Sequence, residues 1–169
     1  MTEEIYLSLG SNLGDRVNHL EEALGHIADQ VGKPGSISGI YESEPWGFSS
    51  EHSFLNCCAS VLTDLEPLQV LDSILKIEKG MGRERNFSRG TSDGYVDRVV
   101  DIDLLLFGER FYDHPRLILP HPAMADRRFV LLPLNEIAPR LVHPLLKVSI
   151  SRMLDQCMDP GEVRLYRKP

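Results

Sequence analysis

Apolar and polar residues alternate over Ile5-Tyr6-Leu7-Ser8-Leu9, which predicts a strand running into Gly10-Ser11-Asn12-Leu13-Gly14. Asp15 then stands where a helix N-cap is wanted. Beyond it Val17, Leu20, Leu24, Ile27 and Val31 recur at three- and four-residue steps, the single apolar stripe of a helix that needs a sheet to lie on. Residues 36–42 and 54–65 read as a second and a third strand, joined by the loop Pro45-Trp46-Gly47-Phe48-Ser49-Ser50. Pro67 suits the first turn of a second helix, with Leu68, Leu71, Ile74 and Leu75 as its apolar face and Gly80 and Gly82 as its end. A long polar stretch, 82–97, precedes the most apolar strand, 99–107. Phe111-Tyr112 reads as a short edge strand, 125–137 as a helix broken near Pro133, and 150–157 as a last helical turn or two. The order β-α-β-β-α-β predicts an α+β, ferredoxin-like fold in which an antiparallel sheet carries its helices on one face, with C-terminal helical additions, as a single domain over 1–169.

Composition narrows the class. The chain has 169 residues, 18 Lys and Arg against 25 Asp and Glu, and a net charge of −7. That length suffices for a hydrophobic core without disulfides. No apolar run approaches the ~20 residues of a membrane span, and the acidic start lacks the basic flank of a secretory signal. Three cysteines, two of them adjacent at Cys57 and Cys58, fit a reducing cytoplasm. Bulk acidity argues against a protein that coats nucleic acid. The charge is nevertheless uneven: residues 1–80 hold four basic and thirteen acidic side chains, whereas 83–128 hold eight Arg, no Lys and eight acids. Arginine without lysine is consistent with bidentate recognition of carboxylate or phosphate, or with a solvated, ion-paired loop.

The chemistry concentrates at Asp101-Ile102-Asp103. Residues two apart on a strand share a face, so these carboxylates point the same way inside an otherwise apolar run. They belong either to a solvated strand end or to a Mg²⁺ site, since that ion takes one or two carboxylates and completes its shell with water and phosphate. Arg83, Arg85, Arg98, Arg116 and Arg127 surround them in sequence, and arginines beside a divalent-ion site are what phosphoryl transfer requires. Glu78, four residues after Ile74, puts an acid on a face that should be apolar, as a ligand or as a helix-end acid paired with Lys79 or an arginine. His121, held between Pro120 and Pro122, is the histidine of six that stands out. Asn56 is an amide inside an apolar strand, bonded to the sheet or to a flat heterocycle. The usual nucleotide loops and a nucleophile elbow are absent, and Gly10 to Gly14 reads as a capping turn.

Taken together, the motifs resemble the 6-hydroxymethyl-dihydropterin pyrophosphokinase family. The resemblance runs in order through Leu9-Gly10-Ser11-Asn12-Leu13-Gly14-Asp15, Tyr41-x3-Pro45, Phe54-Leu55-Asn56, Glu78-x3-Gly82-Arg83-x-Arg85, Arg98-x2-Asp101-Ile102-Asp103, Leu119-Pro120-His121-Pro122, Arg127-x-Phe129 and Pro133-Leu134-x-Glu136-Ile137. It implies transfer of the β,γ-pyrophosphoryl group of ATP to the hydroxymethyl oxygen of 6-hydroxymethyl-7,8-dihydropterin, with two Mg²⁺ ions bridged by Asp101 and Asp103. It further implies that Glu78, Arg83, Arg98, Arg116, His121 and Arg127 lie at the ATP, and that Arg85 belongs to a mobile loop. The pterin would lie between Phe54 and Phe129, with Asn56 and the backbone near Ser43 and Trp46 reading its edge and with Asp101 alongside. A monomer that touches neither nucleic acid nor membrane is expected. The competing readings are a metal-dependent nucleotidyltransferase or cyclase on the same sheet, and a non-catalytic ligand-binding domain. Removing either aspartate is expected to abolish transfer and, by relieving like-charge repulsion, to hold or raise stability.

One segment departs from the family. Many members place Trp-Gly-Pro before the arginine, whereas this chain has Tyr95-Val96-Asp97 after a longer 86–94 stretch, with Tyr95 in the place of the capping tryptophan. Two glycines and no apolar periodicity give 83–97 little to offset its ordering entropy. The segment is therefore expected to be a lid, mobile when free and ordered with ATP, Mg²⁺ and pterin bound. Hydrogen exchange should show protection rising far more in 83–97 than in 99–107 on adding pterin and a non-hydrolysable ATP analogue; strong protection in both states would refute the lid.

Overall fold

The computed structural model describes residues 1–47, 50–82 and 97–169. Arg83, Arg85, Tyr95 and nearly all of the expected lid therefore lie outside the described residues. The elements are β1 (Glu3–Ser11), α1 (Arg16–Gln30), β2 (Lys33–Ile37), β3 (Ile40–Ser43), β4 (Phe54–Thr63), α2 (Pro67–Gly80), β5 (Asp101–Phe107), β6 (Tyr112–His114), β7 (Leu117–Leu119), α3 (Arg128–Ile137), α4 (Ile150–Gln156) and β8 (Val163–Arg167). The main sheet runs β5-β1-β4-β3-β8, with β2 also on β4. Its pairs are antiparallel, which is the ferredoxin-like interleaving of two βαβ units.

Each face of the sheet has its own core. Ile5, Leu7 and Leu9 of β1 meet Leu20, Ala23 and Ile27 of α1 and Val70, Ile74 and Ile77 of α2. Tyr6 and Cys58 point the other way and meet Val130, Leu131 and Leu134 of α3 and Ile150 and Met153 of α4. The two crossover helices thus share one face as expected, and the C-terminal additions cover the opposite one. Asp15 caps α1 by accepting the Asn18 N–H at 3.2 Å.

Several boundaries move for identifiable reasons. The strand read over 36–42 is two strands, because Ser38 holds Cys58 of β4 partly through its side chain and Gly39 bonds away from the sheet. Ser38 Oγ accepts the Cys58 N–H, and the Gly39 N–H donates to Glu136 Oε2 of α3. The chain passes so close to β8 there that a Cβ on Gly39 would lie 2.8 Å from the Arg167 carbonyl oxygen. On α2 the buried face is Pro67, Val70, Ile74, Ile77 and Glu78; Leu68, Leu71 and Leu75 are only half-buried, so the face is rotated from the one expected. The helix read over 125–137 is interrupted at Arg127, whose extended backbone separates the turn Met124–Asp126 from α3, while Pro133 sits inside α3. Phe111 is exposed, and Tyr112 begins a hairpin with β7 instead of an edge strand of the main sheet. The last strand read from the sequence starts at Asp101 instead of residue 99.

β5 carries the feature that matters most for the site. Its register on β1 shifts between Tyr6 and Leu7, so Leu105 is an extra residue and side-chain parity changes there. Ile102 and Leu104 pack toward α1 and α2, whereas Asp101 and Asp103 lie on the face shared with Tyr6 and α3.

Candidate functional site

Register places the polar residues in rows across that face. Asp101 pairs with Gly10, which pairs with Asn56, which pairs with Tyr41; one step along, Asp103 pairs with Ser8 and Ser8 with Cys58. Phe54, paired with Ser43, lies on the same face as Asn56. Gly10 keeps the middle of the row open: a Cβ there would stand 3.2 Å from Asn56 Oδ1 and 3.4 Å from Phe54 Cδ1. Asp101 and Asn56 thus flank a floor about 10 Å across, two strand spacings.

At the β5 side, the carboxylates are balanced by buried guanidinium groups. Arg98 Nη1 lies 3.0 Å from Asp101 Oδ2, and Arg127 Nη1 lies 3.5 Å from Asp103 Oδ2; both arginines are 8% exposed. The aspartate side chains are about a quarter exposed, so a ligand can reach them. Each carboxylate lies against a buried arginine, so the relief of like-charge repulsion on removing it is opposed by the loss of that pairing. Arg127 also stands over the rings of Trp46 and Phe129, 4.7 and 5.8 Å from their centroids, where cation–π attraction holds it.

His121 follows the cis Leu119–Pro120 peptide, and its N–H donates to the Leu105 carbonyl at 2.9 Å. Its Nδ1 accepts the Ala123 N–H at 3.2 Å. Burial first and the nearby Arg127 second push its pKa down to about 4, against the opposing pull of Asp101. At neutral pH the ring is therefore uncharged with its proton on Nε2, a hydrogen-bond donor that adds no charge.

At the opposite end Asn56 is 2% exposed. Its Nδ2 donates to Ser43 Oγ at 2.8 Å and to the Tyr41 carbonyl at 3.3 Å, which leaves Oδ1 as the atom turned toward the floor over Gly10. The amide is bonded to the sheet through its nitrogen, and its oxygen faces the floor.

Two expected site residues are turned elsewhere. Glu78, 1% exposed, belongs to α2 beneath the sheet, and its Oε2 accepts the Ile102 N–H at 3.1 Å, fixing the backbone between the two aspartates. Arg116, in the β6–β7 turn, is exposed and paired with Asp72 of α2. Among the described residues no group of three or more His, Cys, Asp or Glu could hold a metal, so an ion at Asp101 and Asp103 would complete its shell from water and substrate.

The sequence reading passed over Asn12. Its N–H donates to the Arg98 carbonyl at 3.1 Å and its Oδ1 accepts the Arg98 N–H at 2.7 Å, so this buried amide grips the arginine's backbone on both sides. Position in the turn after β1 was its only local signal, and that signal equally suits helix capping.

Paired carboxylates, buried arginines and an uncharged imidazole donor, set on a ferredoxin-like sheet, suit an enzyme that moves phosphoryl groups. Residues 6–139 match the family model of 7,8-dihydro-6-hydroxymethylpterin-pyrophosphokinase (HPPK). A 2-amino-4-hydroxy-6-hydroxymethyldihydropteridine pyrophosphokinase of Porphyromonas gingivalis is 44% identical over 141 residues, 83% of this chain and 93% of its own length. The corresponding protein of Aquifex aeolicus is 36% identical over 143 residues, 85% of each chain. The Dictyostelium discoideum folic acid synthesis protein FOL1 is 39% identical over 98% of this chain, which spans 24% of that longer protein. A Plasmodium falciparum HPPK-DHPS crystal structure shares the fold, with a TM-score of 0.73 at 19% identity, over 92% of this chain and 44% of that one. The chain belongs to the HPPK family.

The depressed His121 pKa makes a prediction about stability. Between its ordinary value near 6.5 and about 4, the unfolded chain binds a proton that the folded chain refuses. The stabilisation is complete above pH 6.5 and is lost as pH falls through that window. Urea unfolding at pH 7 and pH 5 should show the wild type losing about 1–2 kcal/mol more than His121→Asn; equal losses would refute the neutral, buried ring.

Proposed function

We infer that the chain catalyses the pyrophosphokinase reaction of its family: the hydroxymethyl oxygen of 6-hydroxymethyl-7,8-dihydropterin attacks the β-phosphorus of ATP. The new O–Pβ bond forms as the bond from Pβ to the α,β-bridging oxygen breaks, that oxygen leaves with AMP, and the hydroxyl proton is released. The product is an intermediate of folate biosynthesis. The observation that carries the reading is the row Asp101–Gly10–Asn56, with charge-handling groups at one end and a fixed acceptor beside an aromatic ring at the other.

Asp101 and Asp103 would hold Mg²⁺, two ions by analogy with the family, and their fit is supported by two hard oxygen donors on one partly open strand face. Bound there, the metal would supply Lewis-acid stabilisation of phosphoryl charge. Arg98 and Arg127 orient the two carboxylates and add fixed positive charge where negative charge develops. His121 Nε2–H donates to a phosphate oxygen, and its neutrality spares the site a further cation. Asn56 Oδ1 accepts an N–H from the pterin edge, Gly10 leaves room for the ring, and Phe54 and Phe129 offer it aromatic faces. Arg116 would join the phosphates only by leaving Asp72, while Glu78 would act on the site through the β5 backbone. Arg83, Arg85 and Tyr95 complete the proposed ATP and pterin contacts. We place the enzyme in the cytoplasm as a monomer acting on small molecules. Its three cysteines are buried and free, and no helix among the described residues is long and apolar enough to cross a membrane.

Product analysis with ATP, Mg²⁺ and hydroxymethyl-dihydropterin tests the assignment: AMP formation is expected, pyrophosphate release would indicate nucleotidyl transfer or cyclisation, and no turnover would indicate a binding domain. Asp101→Ala or Asp103→Ala should lower kcat by on the order of 10³-fold or more. Stability should fall by about 1–3 kcal/mol with the fold retained, as followed by circular dichroism and urea unfolding. Near-normal turnover at saturating Mg²⁺ would remove the metal assignment.

Arg98→Ala should reduce kcat by about 10³-fold while calorimetric pterin affinity changes only a few-fold. A loss confined to pterin binding would show that Arg98 acts on the wrong substrate for this mechanism.

A further inference from the structure

The carboxylate next to Arg98 belongs to a hydrogen-bond cluster of its own. Asp97 Oδ1 accepts from Ser50 Oγ at 2.6 Å and from Asn12 Nδ2 at 2.7 Å, and its Oδ2 lies 4.0 Å from His52 Nε2. The Ser50 hydroxyl above all, with Asn12 and His52 behind it, holds this carboxyl below its ordinary range despite partial burial. Around it the bonding closes on itself: Ser50 Oγ accepts the His52 N–H at 3.1 Å, and Asn12 Nδ2 also donates to the His52 carbonyl at 3.3 Å. Asn12 is the same residue that grips both backbone groups of Arg98.

Three segments meet at this one side chain. They are the end of β1, the approach to β5 that carries Arg98, and residues 50–53, which lead into Phe54 and Asn56. Trp46, the ring beneath Arg127, belongs to the same β3–β4 connection. Resting on the pyrophosphokinase reading, we propose that Asp97 is a positioning residue that fastens the pterin-side β3–β4 connection to the Arg98–Asn12 frame, and so sets pterin affinity while touching neither substrate. Its action is that of a hydrogen-bond acceptor aimed at two donors, so an amide oxygen at the same place can substitute for it.

Three variants separate this role from its alternatives, in steady-state assays of AMP formation with pterin and ATP varied in turn. Asp97→Ala should raise the pterin KM about tenfold, the loss of two modest hydrogen bonds, while kcat and the ATP KM move less than threefold. Asp97→Asn should restore most of the pterin KM. Ser50→Ala, which removes the hydroxyl arm to Asp97 together with its bond from the His52 N–H and stays informative if Asp97→Ala folds poorly, should raise the pterin KM and add little in combination with Asp97→Ala. A variant pair Asp97→Ala and Asp97→Asn that both lose kcat would overturn the proposal by showing that the charge acts on the reacting phosphates. A pterin KM unchanged in Asp97→Ala and Ser50→Ala would overturn it by showing the contact to be structural only. AMP formation by the wild type tests the pyrophosphokinase reading itself, so failure of that reading and failure of this proposal are read from different enzymes.

Discussion

Two carboxylates of like charge on adjacent outward positions of one strand are the constraint to which the rest of this molecule is fitted. In water such a pair repels weakly; at the edge of a hydrophobic sheet the repulsion is stronger and desolvation adds to it. The fold answers with guanidinium groups. Arg98 and Arg127 are both nearly buried, and each lies against one aspartate. Holding them takes further structure: Asn12 fixes the Arg98 backbone, and the extended residue between the Met124–Asp126 turn and α3 directs Arg127 inward over Trp46. Glu78 then fixes the strand from beneath by accepting the Ile102 N–H. The helix interruption and the acid on an apolar face, each odd as local sequence, become intelligible as supports for the same pair.

This division explains what the sequence disclosed. Strands β1, β4 and β5 and helix α1 are legible because their apolar periodicity matches the face they bury, and Asp101 and Asp103 stand out because they break that periodicity. The split of β2 from β3 is not legible, since what ends the pairing is a bond from Gly39 to Glu136, 97 residues away. β8 escaped because it is an edge strand with four of its five residues exposed, so burial imposes no pattern on it. α2 misled because leucines at helical spacing fit a stripe rotated from the true one, and only packing against β5 chooses between the two.

The site was legible in unequal parts for a similar reason. Residues whose chemistry is unusual for their surroundings, such as the aspartates, Asn56 and His121, announce themselves. Asn12 and Gly10 do not, because an amide and a glycine after a strand are ordinary turn residues until the register shows what lies opposite. Arg116 shows the limit of such a reading, for its arginine-rich stretch does not disclose that its side chain pairs with Asp72.

On the proposed assignment of Asn56 to the pterin edge, the amide bears on selectivity among flat heterocycles. With its nitrogen committed to Ser43 and Tyr41, the side chain cannot flip to suit a ligand, and only its oxygen is offered. A ring that presents an N–H there gains a bond, while one that presents a carbonyl or bare ring nitrogen sets lone pair against lone pair and leaves a buried acceptor unmet. Mismatches of that kind in closed polar sites are rejected far more strongly than mismatches of shape. An inhibitor built for this end of the floor therefore has to keep its donor, whatever is changed elsewhere on its scaffold.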